Sequence, residues 1–157
     1  MILEIQGDLL ETDSKLIAHG CNAQGVMGSG VAEALATRFK GLKSAYRSHC
    51  DLMWGAGQAP SDLLGSVYIV SIDDKLIANC FTQQNYGSGG HQVYVNYDAI
   101  HQCVGTLVLE MAALGLKEIA IPRIGCGLAG GNWERVKKIF EVYFNETSDL
   151  TLKVYSL

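Results

Sequence analysis

The sequence has no excess of positive charge. Its 12 lysines and arginines are outnumbered by 16 aspartates and glutamates, which gives a formal net charge of −4 at pH 7. The basic residues are scattered along the chain and are not grouped with aromatic residues, as they are in proteins that bind long nucleic acids. We therefore expect no long nucleic acid partner.

The sequence also has no uncharged apolar run long enough to span a bilayer, and its first residues contain no basic leader followed by an apolar stretch. We expect a cytoplasmic protein with no membrane partner. The cysteines are odd in number, widely spaced and mostly within apolar runs, as is usual for reduced thiols. They are Cys21, Cys50, Cys80, Cys103 and Cys126.

Paired metal-ligand motifs are missing as well. His19 with Cys21, or His49 with Cys50, would supply two zinc ligands, but no Cys-x-x-Cys or His-x-x-x-His pair completes a set of four. We predict no metal and no other cofactor.

Glycine is abundant, with 18 copies in 157 residues. A chain of this length buries a core without disulfides, and its glycines allow the backbone to approach a ligand closely. We expect one domain over residues 1–157 and favour a monomer.

Apolar runs of strand length alternate with stretches of helical spacing after the first two strands. This order favours an α/β sandwich with a mostly parallel central sheet, in which ligands bind at the carboxyl ends of the strands. The predicted strands are Ile2–Gln6, Leu16–Cys21, Ser66–Ile72, Lys75–Phe81, Glu118–Ile121 and Leu150–Leu157, and the predicted helices are Val31–Phe39, Ala45–Leu52, about Val95–Leu114 and one that Asn132 caps.

Two glycine-rich loops, Asn22–Gly30 and Arg123–Gly131, each follow a strand and precede a helix. Backbone N–H groups at such places bind anions, helped by the helix dipole. For either loop alone, tight turns explain the glycines equally well. Together the two loops suit a ligand that contains a diphosphate.

Other nucleotide-binding motifs do not fit. No Gly-Lys-Ser/Thr follows either loop, which excludes a Walker site. Glu33 stands where a dinucleotide fingerprint needs its third glycine. The loop at Cys126 is similar to that of a cysteine phosphatase, but Asn132 stands where that chemistry needs arginine, so we expect Cys126 to contribute backbone and not a nucleophile.

Five segments together resemble the macro domain family, and they span nearly the whole chain in family order. They are Gly7-Asp8-Leu9, His19 to Ala32, Asn79-Cys-Phe-Thr82, Pro122 to Leu128 and Val154-Tyr155-Ser-Leu157. The chain is similar to the branch that contains the fungal ADP-ribose 1″-phosphate phosphatase and the glutamate-type ADP-ribosyl hydrolases. This resemblance implies a three-layer α/β/α fold around a mixed, largely parallel six-stranded sheet.

The resemblance also implies a binding mode for an ADP-ribose derivative. Asp8 would accept a hydrogen bond from the adenine amino group, with the Leu9 backbone nearby and Tyr155 beside the ring. A turn-capping role for Asp8 and a core role for Tyr155 remain alternatives. The diphosphate would lie on Ile124, Gly125, Cys126, Gly127 and Leu128, and the distal ribose would lie among Asn22, Gly28, Ser29, Gly30 and Val31.

One departure from the family affects the predicted mechanism. Some hydrolases of this branch use a lysine after the Asn-x-Phe-Thr strand and an acid in the second glycine loop, where this chain has Gln83-Gln84 and Ala129. The fungal phosphatase shares the His-x-Cys-Asn opening and a glycine- and serine-rich loop that ends in histidine, here Tyr86–His91. The sequence therefore favours the phosphatase.

Three residues are candidates for catalysis. Histidine donates or accepts protons near neutral pH, which makes His19 and His91 the acid–base candidates, with Asn22 orienting ribose or water. A core role for His19 and a solvated loop position for His91 remain alternatives. We predict hydrolysis of ADP-ribose 1″-phosphate to ADP-ribose and phosphate; the alternatives are an ADP-ribosyl hydrolase acting on protein or nucleic acid and a non-catalytic ADP-ribose-binding module.

Overall fold

The computed structural model describes residues 1–86 and 93–157. These residues form a β-sheet and the helices that flank it. The strands are β1 (Ile2–Gln6), β2 (Leu16–Asn22), β3 (Val67–Ile72), β4 (Lys75–Gln83), β5 (Glu118–Pro122) and β6 (Thr151–Ser156), and the helices are α1 (Gly30–Arg38), α2 (Leu42–Gly55), α3 (Tyr97–Leu114) and α4 (Trp133–Glu141).

The six strands form one sheet in the order β1-β6-β5-β2-β4-β3. All neighbours pair in parallel except β3 and β4, which form an antiparallel hairpin. Asp73 and Asp74 make its turn with φ of 50° and 65°, the left-handed backbone that two-residue hairpins require. The predicted hairpin and the mixed, largely parallel six-stranded sheet are confirmed.

Each face of the sheet is covered by helices, which confirms the three-layer α/β/α arrangement. Along β2, Leu16 and Ala18 pack into the core that includes α3 and α4. Ile17 and Cys21 pack into the opposite core, which includes α1 and α2. Central parallel strands are buried on both faces, and β2 is apolar at most positions for this reason.

Some element boundaries differ from the sequence prediction. Helix α2 is longer than Ala45–Leu52, because it begins directly after Gly41 and buries Leu42, Tyr46 and Cys50 as one stripe. Helix α3 begins only at Tyr97, where the Asn96 side chain accepts a hydrogen bond from the Ala99 amide. No helix within residues 1–86 and 93–157 is both long enough and apolar enough to span a membrane.

Candidate functional site

The parallel strands β1, β2, β5 and β6 end at the same edge of the sheet, and a long cleft opens there. It consists of two cavities of about 590 and 650 Å³, which we call the Asn22 end and the Asp8 end. The cavities are adjoining, because several residues line both of them. The shared residues are Gly30, Val31, Pro122, Arg123 and Gly127.

The Asp8 end follows β1 and β6. Asp8 is exposed, and one carboxylate oxygen accepts a hydrogen bond from the Leu10 amide at 3.0 Å. Leu9 beside it is buried. The half-buried Tyr155 lines the same cavity and its hydroxyl donates to Thr12 Oγ1 at 2.9 Å. Asp8 thus caps a turn, and its carboxylate retains further acceptor sites that face a cavity.

The middle of the cleft begins with the amino end of α1. The Ser29 side chain makes no capping hydrogen bond, so the first-turn N–H groups lack the usual side-chain acceptor. Gly30 has a φ of 61°, which favours glycine at this position. Gly28, Ser29, Gly30 and Val31 are all exposed on the cavity wall. This arrangement suits an anion.

The second glycine loop lies opposite. Gly125 accepts a hydrogen bond from the Gly131 amide at 2.7 Å, which folds the loop back on itself. Among the described residues, no carbonyl or side chain accepts from the amides of Gly125, Gly127 or Leu128. These three N–H groups are available to anionic oxygens. A Cβ on Gly30 would lie 3.8 Å from Leu128 Cδ1, so the two glycine loops face each other across a narrow space.

Cys126 lies in this loop as a thiol. Its Sγ donates a hydrogen bond to the Ile124 carbonyl at 3.3 Å, and burial raises its pKa to about 11. The thiolate is the nucleophilic form of cysteine. At neutral pH this side chain therefore stays protonated and is a poor nucleophile.

Asn22 ends β2 at the opposite end of the cleft, and its side chain is bound to its own loop. Nδ2 donates to the Val26 carbonyl at 2.7 Å, and Oδ1 accepts from the Gln24 amide at 2.9 Å. Only 7% of Asn22 is exposed, and that surface lines the cavity. The amide is held in a single orientation, because exchanging its oxygen and nitrogen would oppose donor to donor.

His19 lies three residues earlier on β2 and is 1% exposed. Asn79 Nδ2 donates to the Tyr68 carbonyl, so Asn79 Oδ1 faces His19 and accepts from Nε2 at 2.6 Å. Burial lowers the pKa of His19, and the hydrogen bond to Asn79 offsets this in part. The imidazole is thus neutral, and its buried Nδ1 has no partner among the described residues.

Two positions that distinguish this chain from the lysine-using hydrolases lie on the wall of the Asn22 end. Gln83 lines this cavity and donates from Nε2 to the Asn85 carbonyl at 2.7 Å. Ala129 lines it as well. The cavity therefore carries an amide and a methyl group at these positions. The predicted catalytic His91 lies outside the described residues.

Sequence reasoning assigned no role to Arg123, which the structure places along both cavities. Its guanidinium lies 3.7 Å from a Glu4 carboxylate oxygen and 6.0 Å from the centre of the Trp133 ring. The sequence feature that could have identified Arg123 is its position directly after β5, because residues that follow a parallel strand lie at the edge of the sheet where ligands bind. Within residues 1–86 and 93–157, no three histidine, cysteine or acidic side chains converge on a metal site.

Comparison with known proteins agrees with this geometry. The sequence model of the Macro domain family matches residues 18–140. The ADP-ribose 1″-phosphate phosphatase of Scheffersomyces stipitis is 27% identical, and the match covers 99% of this chain and 99% of that protein.

Two mycobacterial proteins are also similar. The DNA ADP-ribosyl glycohydrolase of Mycobacterium tuberculosis is 25% identical over 99% of this chain, which spans only 42% of that protein's length. The macrodomain of Mycobacterium tuberculosis DarG superposes with a TM-score of 0.83 at 24% identity, over 100% of this chain and 98% of that one. On its fold and on the family match, this chain belongs to the macro domain family.

Proposed function

We propose that this chain binds ADP-ribose in the cleft and hydrolyses ADP-ribose 1″-phosphate to ADP-ribose and phosphate. The observation that carries the proposal is the order of groups along one cleft. An exposed carboxylate acceptor lies at one end, amide donors lie in the middle, and buried polar side chains lie at the other end. ADP-ribose carries adenine, diphosphate and distal ribose in the same order.

The binding mode follows from donor and acceptor chemistry. The Asp8 carboxylate accepts from the adenine amino group, because an ionised carboxylate has no proton to donate. The diphosphate lies between the amino end of α1 and the free amides of Gly125, Gly127 and Leu128. The distal ribose then reaches Asn22 and places its 1″ substituent at the end of the cleft.

Hydrolysis of the 1″-phosphate breaks the bond between phosphorus and the ribose oxygen. A water attacks phosphorus, and the departing ribose oxygen takes a proton. His19 lines the Asn22 end, and its buried Nδ1 has no hydrogen-bond partner among the described residues, so it is one of the two acid–base candidates. His91 is the other acid–base candidate, and Asn22 orients the ribose or the water.

A second candidate function is removal of ADP-ribose from a macromolecule. The Mycobacterium tuberculosis relative, whose name describes a DNA ADP-ribosyl glycohydrolase, favours it. Gln83 and Ala129 argue against it, because neither side chain replaces the lysine and the acid that some hydrolases of this branch use. A non-catalytic binding module would keep the cleft but would tolerate changes at both histidines.

The test is phosphate release from ADP-ribose 1″-phosphate by the wild type, His19→Gln and His91→Ala, with ADP-ribose affinity measured on each protein. Glutamine at position 19 retains a donor for Asn79 and so limits damage to the fold. We expect release to fall in a variant that still binds ADP-ribose. A wild type that binds ADP-ribose but releases no phosphate would refute the phosphatase and turn the assay to ADP-ribosylated DNA and protein.

A further inference from the structure

The orientation of the Asn22 amide is set from two directions. Within its own loop, Oδ1 accepts from the amides of Gln24 and Val26, the latter at a long 3.4 Å. From outside the loop, the Tyr46 hydroxyl lies 2.7 Å from the Asn22 carbonyl oxygen and 3.0 Å from Oδ1. Among the described residues, Tyr46 provides the only side-chain hydrogen bond to Asn22 from another element.

Tyr46 is suited to act as a permanent donor. It lies in α2, its side chain is fully buried, and its ring stacks on Phe81 with 5.9 Å between the ring centres. Burial raises its pKa far above the usual value, so the hydroxyl keeps its proton at any physiological pH. The hydroxyl lies within hydrogen-bond distance of both oxygens of Asn22, with the main-chain carbonyl at the shorter distance, so its proton favours the oxygen end of the side-chain amide on this side.

The same helix supports the rest of the loop. Gly25 has a φ of 77°, and a Cβ there would lie 3.0 to 3.1 Å from side-chain atoms of Arg47 and Trp54. The loop therefore packs directly on α2, and any tilt of its backbone meets these side chains. Helix α2 lines neither cavity of the cleft. It nevertheless determines the shape of the Asn22 end from behind.

We propose that Tyr46 is a positioning residue that directs the Asn22 amide toward the distal ribose, an inference that rests on the proposed function. With Oδ1 held by Tyr46 and Gln24, and with one Nδ2 proton on the Val26 carbonyl, the second Nδ2 proton is left for a ligand hydroxyl. Tyr46 itself lines neither the Asn22 end nor the Asp8 end of the cleft. Its effect reaches the ligand only through Asn22.

The binding test compares ADP-ribose with ADP, which lacks the distal ribose, on the wild type and Tyr46→Phe. Phenylalanine keeps the stacking on Phe81 and removes only the hydroxyl. We expect ADP-ribose affinity to fall about 5- to 10-fold, the effect of one hydrogen bond, while ADP affinity stays unchanged. Equal weakening of both ligands, or of neither, would overturn the proposal, because a merely structural role cannot select the ligand that has the ribose.

Tyr143→Phe is the matched control. Tyr143 packs against the core on the opposite face of the sheet from Tyr46. Tyr143→Phe therefore shows what removal of a tyrosine hydroxyl does to ligand binding when that hydroxyl is remote from Asn22. We expect its ratio of ADP-ribose to ADP affinity to equal that of the wild type. The melting temperature of each variant is measured in parallel.

A second readout needs no ligand. The side-chain amide signals of Asn22 in a ¹⁵N NMR spectrum, identified by their loss in Asn22→Asp, report its environment directly. We expect them to shift or broaden in Tyr46→Phe and to stay in place in Tyr143→Phe. Unchanged signals in Tyr46→Phe would overturn the positioning role, whereas a wild type that binds no ADP-ribose would instead refute the proposed function.

Discussion

The two ends of the cleft are built differently. At the Asn22 end, His19 and Asn22 are 1% and 7% exposed, and their side chains are hydrogen-bonded to the protein. At the Asp8 end, the carboxylate is exposed and makes one hydrogen bond to a neighbouring amide. One end is ordered by internal contacts, and the other presents acceptor sites to solvent.

This difference indicates separate tasks. Groups that are held before a ligand arrives lose little entropy on binding and place reacting atoms reproducibly. An exposed carboxylate with free lone pairs recognises a donor without determining the geometry of the rest of the site. We therefore expect the Asp8 end to contribute base recognition and the Asn22 end to contribute orientation at the distal ribose.

The substitution with the largest expected effect on ADP-ribose affinity tests whether both ends of the cleft belong to one binding site. A Cβ on Gly127 would meet nothing within 4 Å, and Gly127 lines both cavities, so Gly127→Val should fold normally but block the diphosphate. We expect ADP-ribose affinity to fall by about 100-fold or more, because charge-assisted hydrogen bonds are lost. Isothermal calorimetry measures this loss.

Gly55→Val is the control for that experiment, since Gly55 is exposed at the end of α2 and is equally unobstructed. Both variants should melt near the wild-type temperature. Retained ADP-ribose affinity in a folded Gly127→Val protein would show that this loop is not the diphosphate site. Gly125 and Gly131 are unsuitable for this test, because a side chain at either would collide with the protein itself.

The next effect concerns the exposed end. Asp8→Asn keeps an oxygen for the Leu10 amide but adds a donor that opposes the adenine amino group. We expect a loss of about 1–3 kcal/mol in ADP-ribose binding, measured by calorimetry. In an analogue of ADP-ribose that carries hypoxanthine, an acceptor oxygen replaces the amino group of adenine. Asp8→Asn should weaken binding of this analogue less than it weakens binding of ADP-ribose, or should strengthen it. An unchanged preference between the two bases would contradict the assignment of Asp8.

A smaller effect concerns the buried end and depends on pH. Burial lowers the folded-state pKa of His19 below the ordinary value of 6.5, so the unfolded chain binds more protons in acid. The stability contributed by neutral His19 is complete above pH 6.5 and is lost as the pH falls toward the folded-state pKa. Urea unfolding at pH 7.5 and pH 5.0 measures this loss.

His19→Gln should weaken that pH dependence. Part of the loss of stability at low pH should persist in His19→Gln, because partial burial also lowers the pKa of His49. If wild type and His19→Gln lose the same stability between the two pH values, His19 is not the buried neutral histidine described above.

The smallest effect concerns Tyr155, at the Asp8 end. Tyr155→Phe removes the hydrogen bond to Thr12 but keeps the ring on the cavity wall. We expect a cost of about 0.5–1.5 kcal/mol in unfolding free energy, measured in urea, with less than about a threefold change in ADP-ribose affinity. Thr12→Val should cost a similar amount of stability. A large loss of affinity in Tyr155→Phe would mean that the hydroxyl itself contacts the ligand.

Much of the fold followed from local pattern. Strand Ile2–Gln6 and the hairpin at Asp73-Asp74 were predicted and are confirmed, because apolar runs and turn residues act over short distances. The predicted bounds of α2, Ala45–Leu52, were wrong, because the helix runs from Leu42 to Gly55. Its first turn depends on the burial of Leu42, which only the packing against the sheet reveals.

The candidate site was predictable in outline. Asp8 and Gly127 follow strands and Asn22 ends one, all toward the same edge, and the structure places the three residues along one cleft. Which glycines keep the fold and which leave room for a ligand was not readable from the sequence. Gly125 and Gly127 are two residues apart in the same loop, yet only a side chain at Gly125 would strike Val95.

The sequence by itself determined the order of strands and helices, the glycine loops and the edge at which they meet, because local patterns decide which stretches form strands, helices and turns; the bounds of α2 and α3 were the exceptions. Only the tertiary structure decided which partners the polar side chains have. His19 meets Asn79 through the register of two parallel strands, and Asn22 meets Tyr46 through the seating of α2 on the sheet. Such contacts join distant positions, and their geometry exists only once the layers have packed.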